Sequence, residues 1–133
     1  MENKNKVLHI TVWVLQIFMG LMFLMVGGMK AFSPLESLPP EMAWALENPN
    51  LVRFVGISQL LGAIGLIVPS LLRIKPFLTP LAALGFATIM ILAIGFHAMR
   101  SEMEAIPTNI VLLLVFAFIA WARWKKVPIQ PKP

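Results

Sequence analysis

Four runs of this sequence are long and apolar enough to cross a lipid bilayer, and no other feature limits its possible folds so tightly. They cover about residues 8–29, 51–72, 77–98 and 106–121. A helix rises about 1.5 Å per residue, so runs of this length match the roughly 30 Å of a bilayer's hydrocarbon. None of the four contains Asp or Glu. The chain has no Asp, and its 6 acidic residues, Glu2, Glu36, Glu41, Glu47, Glu102 and Glu104, all fall in the ends and connections. With 59% hydrophobic and only 13% charged residues, it has too little charge to clothe a water-soluble domain. The predicted fold class is all-α: a transmembrane antiparallel four-helix bundle whose main solvent and first partner is the lipid bilayer.

Lys4 and Lys6 precede the first run as they would in a secretory signal. The apolar stretch exceeds a normal signal core and no A-x-A-like site follows, so the segment reads as a retained helix. The count of 0 cysteines excludes disulfides, thiolate metal sites, iron–sulfur clusters and CxxC chemistry. A pI near 10.1 would suit a nucleic-acid binder, but the basic residues lie in short groups between the apolar runs, where they report topology, and no nucleic acid is expected. One side of the bundle holds Lys4, Lys6, Arg73, Lys75, Arg123, Lys125, Lys126 and Lys132; the other holds Lys30, Arg53 and Arg100. The positive-inside rule predicts both termini in the cytoplasm and a multi-pass protein of the cell membrane. Trp121 and Trp124 beside Arg123 and Lys125 form an aromatic belt at that boundary, with Trp13 near the same level.

The connections differ in length. Between the second and third runs stands only "RIKP", which makes these helices antiparallel neighbours across a tight turn. The first connection, "AFSPLESLPPEMAWALENPN", is far longer. Within it "PPEMAWALEN" has the marks of a short helix: Pro40 in the first turn, Glu41 at the positive end of the dipole, and Pro49 as a stop. Met42, Ala45 and Leu46 form its predicted apolar face, with Trp44 at the edge, so it is expected to lie at the membrane surface as an extracytoplasmic lid. Residues 127–133 read as a disordered Pro-rich cytoplasmic tail after a single membrane domain spanning 1–126.

Polar and small residues within the runs supply the candidate site. Gln16, Gly20, Phe23, Gly27 and Lys30 follow one stripe of the first helix, and Ser58, Gly62, Gly65 and Pro69 one stripe of the second. Gly20, Gly27, Ser58, Gly62 and Gly65 suit close helix packing in lipid. Gln16 and Gln59 each lie roughly 12 Å inside a helix. An amide at that depth either bonds a neighbouring helix or faces a ligand. Lys30, Arg53, His97, Arg100 and Asn109 gather at the outer helix ends, with Glu47, Glu102 and Glu104 near as counter-ions. Lys30, Arg53 and Arg100 either snorkel to the interface or mark a site. His9 and His97 stand on opposite sides, about 30 Å apart. They cannot share a metal or haem, and no metal site or catalytic residue is assigned.

The phrases "QIFMGLMFLMVGGMK", "SQLLGAIGLIVP" and "LAALGFATIMILAIGFHAMRSE", followed by a Pro-led fourth helix, resemble the DoxX-like family of small four-helix membrane proteins over about residues 8–124. The resemblance implies a compact bundle with cytoplasmic termini. Lys30 and His97 match the family pattern, whereas Gln59 stands where members commonly carry a glutamate, so a titrating carboxylate there is lost while a hydrogen-bonding role survives. The family name is linked to a membrane subunit of thiosulfate:quinone oxidoreductase. Three functions stay open: a non-catalytic accessory or assembly subunit with a quinone or lipid in its bundle, a membrane subunit of a quinone-linked oxidoreductase, and a small transporter. The missing intramembrane acids count against the transporter. The missing cofactor ligands count against autonomous redox chemistry, which would need a partner protein to supply electrons, and both a protein partner subunit and a homo-oligomer stay open. Gln59, Lys30 and His97 are expected to border an outward-opening cavity beneath the lid.

Overall fold

A computed structural model describes residues 2–133, with the side chains of Glu2, Asn3, Lys4 and Glu41 left out. The expectations attached to Lys4 and Glu41 therefore fall outside the described residues. Helix α1 runs Glu2–Phe32, the short α2 Trp44–Glu47, α3 Pro49–Leu72, α4 Leu78–Met99 and α5 Ile106–Trp121. Four long apolar helices make a transmembrane bundle, with no strand among the described residues. Helix α1 starts well before residue 8 because apolarity marks where lipid begins, while a helix continues into the polar interface. Pro49 ends the lid segment as expected and also opens α3, since a missing N–H costs nothing in a first turn.

Around the bundle α1 packs on α3, α3 on α4 and α4 on α5, and α5 closes the ring against α1. The end of α5 meets the start of α1 through Arg123 and His9, so both termini share one face. Arg53 at the start of α3 meets the end of α1 on the opposite, lid face. The turn between α3 and α4 is as tight as "RIKP" requires: Arg73 takes a left-handed conformation with φ 56°, and the Ile74 N–H donates to Pro69 O at 3.2 Å. The Pro-rich tail follows an extended path to this turn, where Arg73 Nε donates to Gln130 O at 2.8 Å and Lys132 N–H to Arg73 O at 2.9 Å.

The predicted stripe on α1 is the inner one: Gln16, Gly20, Phe23 and Gly27 are buried and Lys30 is half-buried. On α3 the buried row is Val52, Gly56, Gln59, Ala63, Leu66 and Ser70, one position away from the predicted stripe. The predicted stripe faces α4 instead, where a Cβ on Gly62 would fall 2.7 Å from the Phe86 ring and one on Gly65 2.9 Å from Ala82 Cβ. The closest approach of α1 and α3 is at Gly56, where a Cβ would lie 2.5 Å from Ala31 N and 2.7 Å from Gly27 O. Gly28, next to Gly27 in the chain, has open space around it. At mid-depth Phe23, Phe86 and Phe116, from α1, α4 and α5, form an apolar aromatic layer. Phe86 and Phe116 stack at 4.5 Å with an interplanar angle of 7°.

The lid comprises two 3-10 turns, Leu35–Ser37 and Pro40–Met42, followed by α2. It is anchored differently from the predicted face. Trp44 and Ala45 are buried against Val52, Leu35, Leu38 and Phe96, whereas Leu46 is exposed. Trp44 is the anchor because its indole meets the Phe96 ring edge-on at 5.4 Å, an arrangement that adds about 0.5–1.5 kcal/mol to the area it buries.

Candidate functional site

Polar side chains form two layers, one at each end of the bundle, separated by the phenylalanines. At the lid face Arg53 reaches back to the end of α1 and donates to Ser33 O at 2.7 Å and Lys30 O at 3.1 Å. These are carbonyls that a helix C-terminus leaves unpaired, and a cation there also favours the helix dipole. His97 and Arg100 converge on one carboxylate. His97 Nδ1 donates to Glu102 Oε1 at 2.8 Å, and Arg100 Nε donates to the same oxygen at 3.2 Å. Arg100 also donates to Glu47 Oε2 at 2.7 Å, which ties the end of α2 to the end of α4. The His97 hydrogen bond, helped by Arg100, holds the Glu102 carboxyl below the ordinary carboxylate range against the opposing effect of burial. Hydrogen bonds to Glu47 and Glu102 raise Arg100. Trp44 closes over this group, its ring centre 6.3 Å from that of His97.

Gln59 lies below them on α3, 1% exposed, against the turn of α1 that holds Gly27. Its Oε1 has no hydrogen-bond donor among the described residues. Lys30 follows Gly27 by one turn, and its backbone lies beside Gly56. The lid layer thus has two parts: Glu47, His97, Arg100 and Glu102 form one linked group, while Arg53, Lys30 and Gln59 belong to the seam between α1 and α3. Asn109, half-buried in the first turn of α5, joins none of these hydrogen bonds. Gln16 belongs to the opposite layer.

At the termini face the centre is Arg123, a residue the sequence reading used only for topology. It is 3% exposed. Its Nε donates to Gln16 Oε1 at 2.5 Å, and Nη1 donates to His9 Nδ1 at 2.9 Å and Val127 O at 2.7 Å. Since a guanidinium can only donate, His9 must accept through Nδ1 and carry its proton on Nε2. Gln16 completes the link by donating Nε2–H to Leu66 O of α3 at 2.7 Å, the interhelical bond that an amide at this depth offers. Trp13 covers the guanidinium, with Cζ 5.5 Å from its ring centre. Arg123 is carried inward by a π-helical turn, Ala122–Lys126, that widens the end of α5. The signal for it was periodic: Arg123 continues the inward row of Phe116, Ile119 and Ala120. Beside it a groove of about 500 Å³ opens, with Lys75 and Arg123 in its wall.

Four helices of bilayer length, closed into a ring with an apolar centre and polar ends, define a small multi-pass integral membrane protein. The model of the DoxX-like family matches residues 14–119, and the chain belongs to that family. No curated protein and no solved structure matches it.

Proposed function

We propose that the protein is a non-catalytic accessory or assembly subunit of the cell membrane, with both termini cytoplasmic, that holds a lipophilic molecule by its polar head beneath the lid. The observation that carries this reading is Gln59 Oε1, an acceptor 1% exposed in its residue and without a donor among the described residues. A buried acceptor left unsatisfied costs about 1–3 kcal/mol, so its retention favours a donor from outside. A quinol or a lipid hydroxyl is such a donor on an apolar body. Oxidised quinone would instead take a hydrogen bond from the Gln59 amide N–H. His97, oriented by Glu102, and the Trp44 indole supply a polar and an aromatic wall. The orientation is supported by the basic residues, which crowd the termini face.

Native mass spectrometry with lipid extraction, on protein in mild detergent, tests the ligand. A quinone, quinol or lipid retained by the wild type and lost from Gln59→Leu is expected; a recovered quinone would favour a quinone-linked complex. An empty wild type with a protein partner bound would leave only the assembly role. The chain has 0 cysteines, so single-cysteine labelling tests the orientation cleanly. An impermeant maleimide should label Ser37→Cys on intact cells and Lys132→Cys only after permeabilisation, and the reverse order would overturn the topology.

A further inference from the structure

We infer that the groove on the termini face is a binding site for the phosphate headgroup of an anionic phospholipid. The groove lies between the turn before α4, the end of α5 and the tail. Its volume of about 500 Å³ falls within the roughly 300–1,000 Å³ of small-molecule sites. Its walls include Lys75, Phe77, Pro80, Arg123, Trp124 and Ile129. Two cations from separate segments therefore share one concavity.

Arg123 makes the sign of the ligand specific. It is buried at 3% exposure, yet its hydrogen bonds go only to neutral acceptors, Gln16 Oε1, His9 Nδ1 and backbone carbonyls. No carboxylate pairs with it among the described residues. A buried charge needs a partner of opposite sign, since neutral dipoles recover only part of its lost hydration. The described acidic side chains, Glu36, Glu47, Glu102 and Glu104, belong to the lid-face connections, so this chain offers no anion near the groove from those positions. Basic pockets between membrane helices commonly meet anionic headgroups.

The apolar walls choose between a lipid and a soluble phosphate. Phe77 is 57% and Trp124 55% exposed, and both flank the cations. A soluble anion would use neither surface. A phospholipid uses both, setting its phosphate at Lys75 and Arg123 and its glycerol and acyl carbons along Phe77, Pro80 and Trp124. This site is at the opposite end of the bundle from Gln59, and neither assignment depends on the other.

The test uses the full chain in neutral detergent, with native mass spectrometry of bound phosphatidylglycerol against phosphatidylcholine of matched acyl chains. Wild type should prefer phosphatidylglycerol at least fivefold, the contribution of about one basic side chain near a lipid surface. Lys75→Ala should reduce that preference about fivefold and Lys75→Arg restore it. Lys126→Ala, which removes a charge outside the groove, should leave the preference unchanged. Equal binding of the two lipids would overturn the assignment. So would an equal loss in Lys126→Ala and Lys75→Ala, which would mean diffuse surface charge. Glycerol 3-phosphate competing as tightly as the lipid would overturn the lipid as the source.

Discussion

Thr79 on α4 donates its hydroxyl to Gly65 O on α3 at 3.1 Å, taking the place of the N–H that Pro69 does not have. The proline inside α3 leaves the carbonyl four residues earlier without its helical donor. Ser70 stands 2.6 Å from Thr79 Oγ1; with the Thr79 proton committed to Gly65, Ser70 is the donor. The next carbonyl, Leu66 O, receives Gln16 Nε2–H from α1. The donor missing at Pro69 is thereby supplied from α4, while the neighbouring carbonyl accepts a second interhelical bond from α1 on the other side of α3.

Thr79→Val should therefore destabilise the bundle by about 1–2 kcal/mol, since it removes both bonds and strands a buried carbonyl. Pro69→Ala supplies the missing N–H, so the loss caused by Thr79→Val should be smaller in that background. Equilibrium unfolding in mixed detergent, arranged as a double-mutant cycle, measures the difference. Equal losses in both backgrounds would show that Thr79 does not stand in for the proline N–H.

Gly56 on α3 and Gly28 on α1 are both helical glycines, but their surroundings differ. A Cβ on Gly56 would stand 2.5 Å from Ala31 N, whereas one on Gly28 meets nothing within 4 Å. Gly56→Ala should push α1 from α3 and cost about 1–3 kcal/mol through overpacking. Gly28→Ala should be neutral or stabilising by up to about 1 kcal/mol, the gain expected for alanine in a helix. Melting temperatures of the two variants in one detergent decide this, and similar losses would refute the close seam.

The lid should loosen in acid. The folded Glu102 carboxyl is held below its ordinary range, first by the His97 hydrogen bond and then by Arg100. A depressed carboxyl pKa contributes stability that is fully present above the unfolded value, about 4.3, and is lost as pH falls through the lower folded value. Hydrogen exchange at the lid amides of residues 35–47, after correction for intrinsic rates, should thus rise as pH falls below about 4. Glu102→Gln should exchange faster at neutral pH and lose the acid step. A step that persists in Glu102→Gln would assign it to Glu47 or another carboxylate.

The sequence made the four spans legible because lipid tolerates few charges, and it made the α1 stripe legible because Gln16 and Lys30 mark one face of an otherwise uniform helix. On α3 the same reasoning selected the face toward α4 and missed Gly56, which meets α1. In water the buried face of a helix is the apolar one; in lipid every face is apolar, so small residues mark whichever neighbour comes close and do not say which. Trp44 was placed at the edge of the lid because spacing alone could not foresee Phe96 beneath it. Of the polar residues, His97, Arg100 and Glu102 were readable as a group from their closeness in the chain. Arg123 was not, because the charge rule already accounted for a basic residue at that helix end, although its partner Gln16 had been noted.

That pair supports a prediction whose sign separates specificity from stability. Arg123 is held by Gln16 and His9 with both residues of the central bond almost fully buried. Gln16→Leu leaves a buried guanidinium short of an acceptor and should cost about 3 kcal/mol, the lower end for breaking a buried charged contact. Arg123→Met strands Gln16 Oε1, a neutral group, and should cost less, about 1–3 kcal/mol. Combining the two replaces a polar contact by apolar volume, which is often neutral or stabilising, so the double variant should be more stable than Gln16→Leu alone. Unfolding midpoints of the three variants measure this directly. A double variant as weak as the sum of the singles would mean that Gln16 and Arg123 act independently, and that the guanidinium is held at this depth by Val127 O and the Trp13 ring.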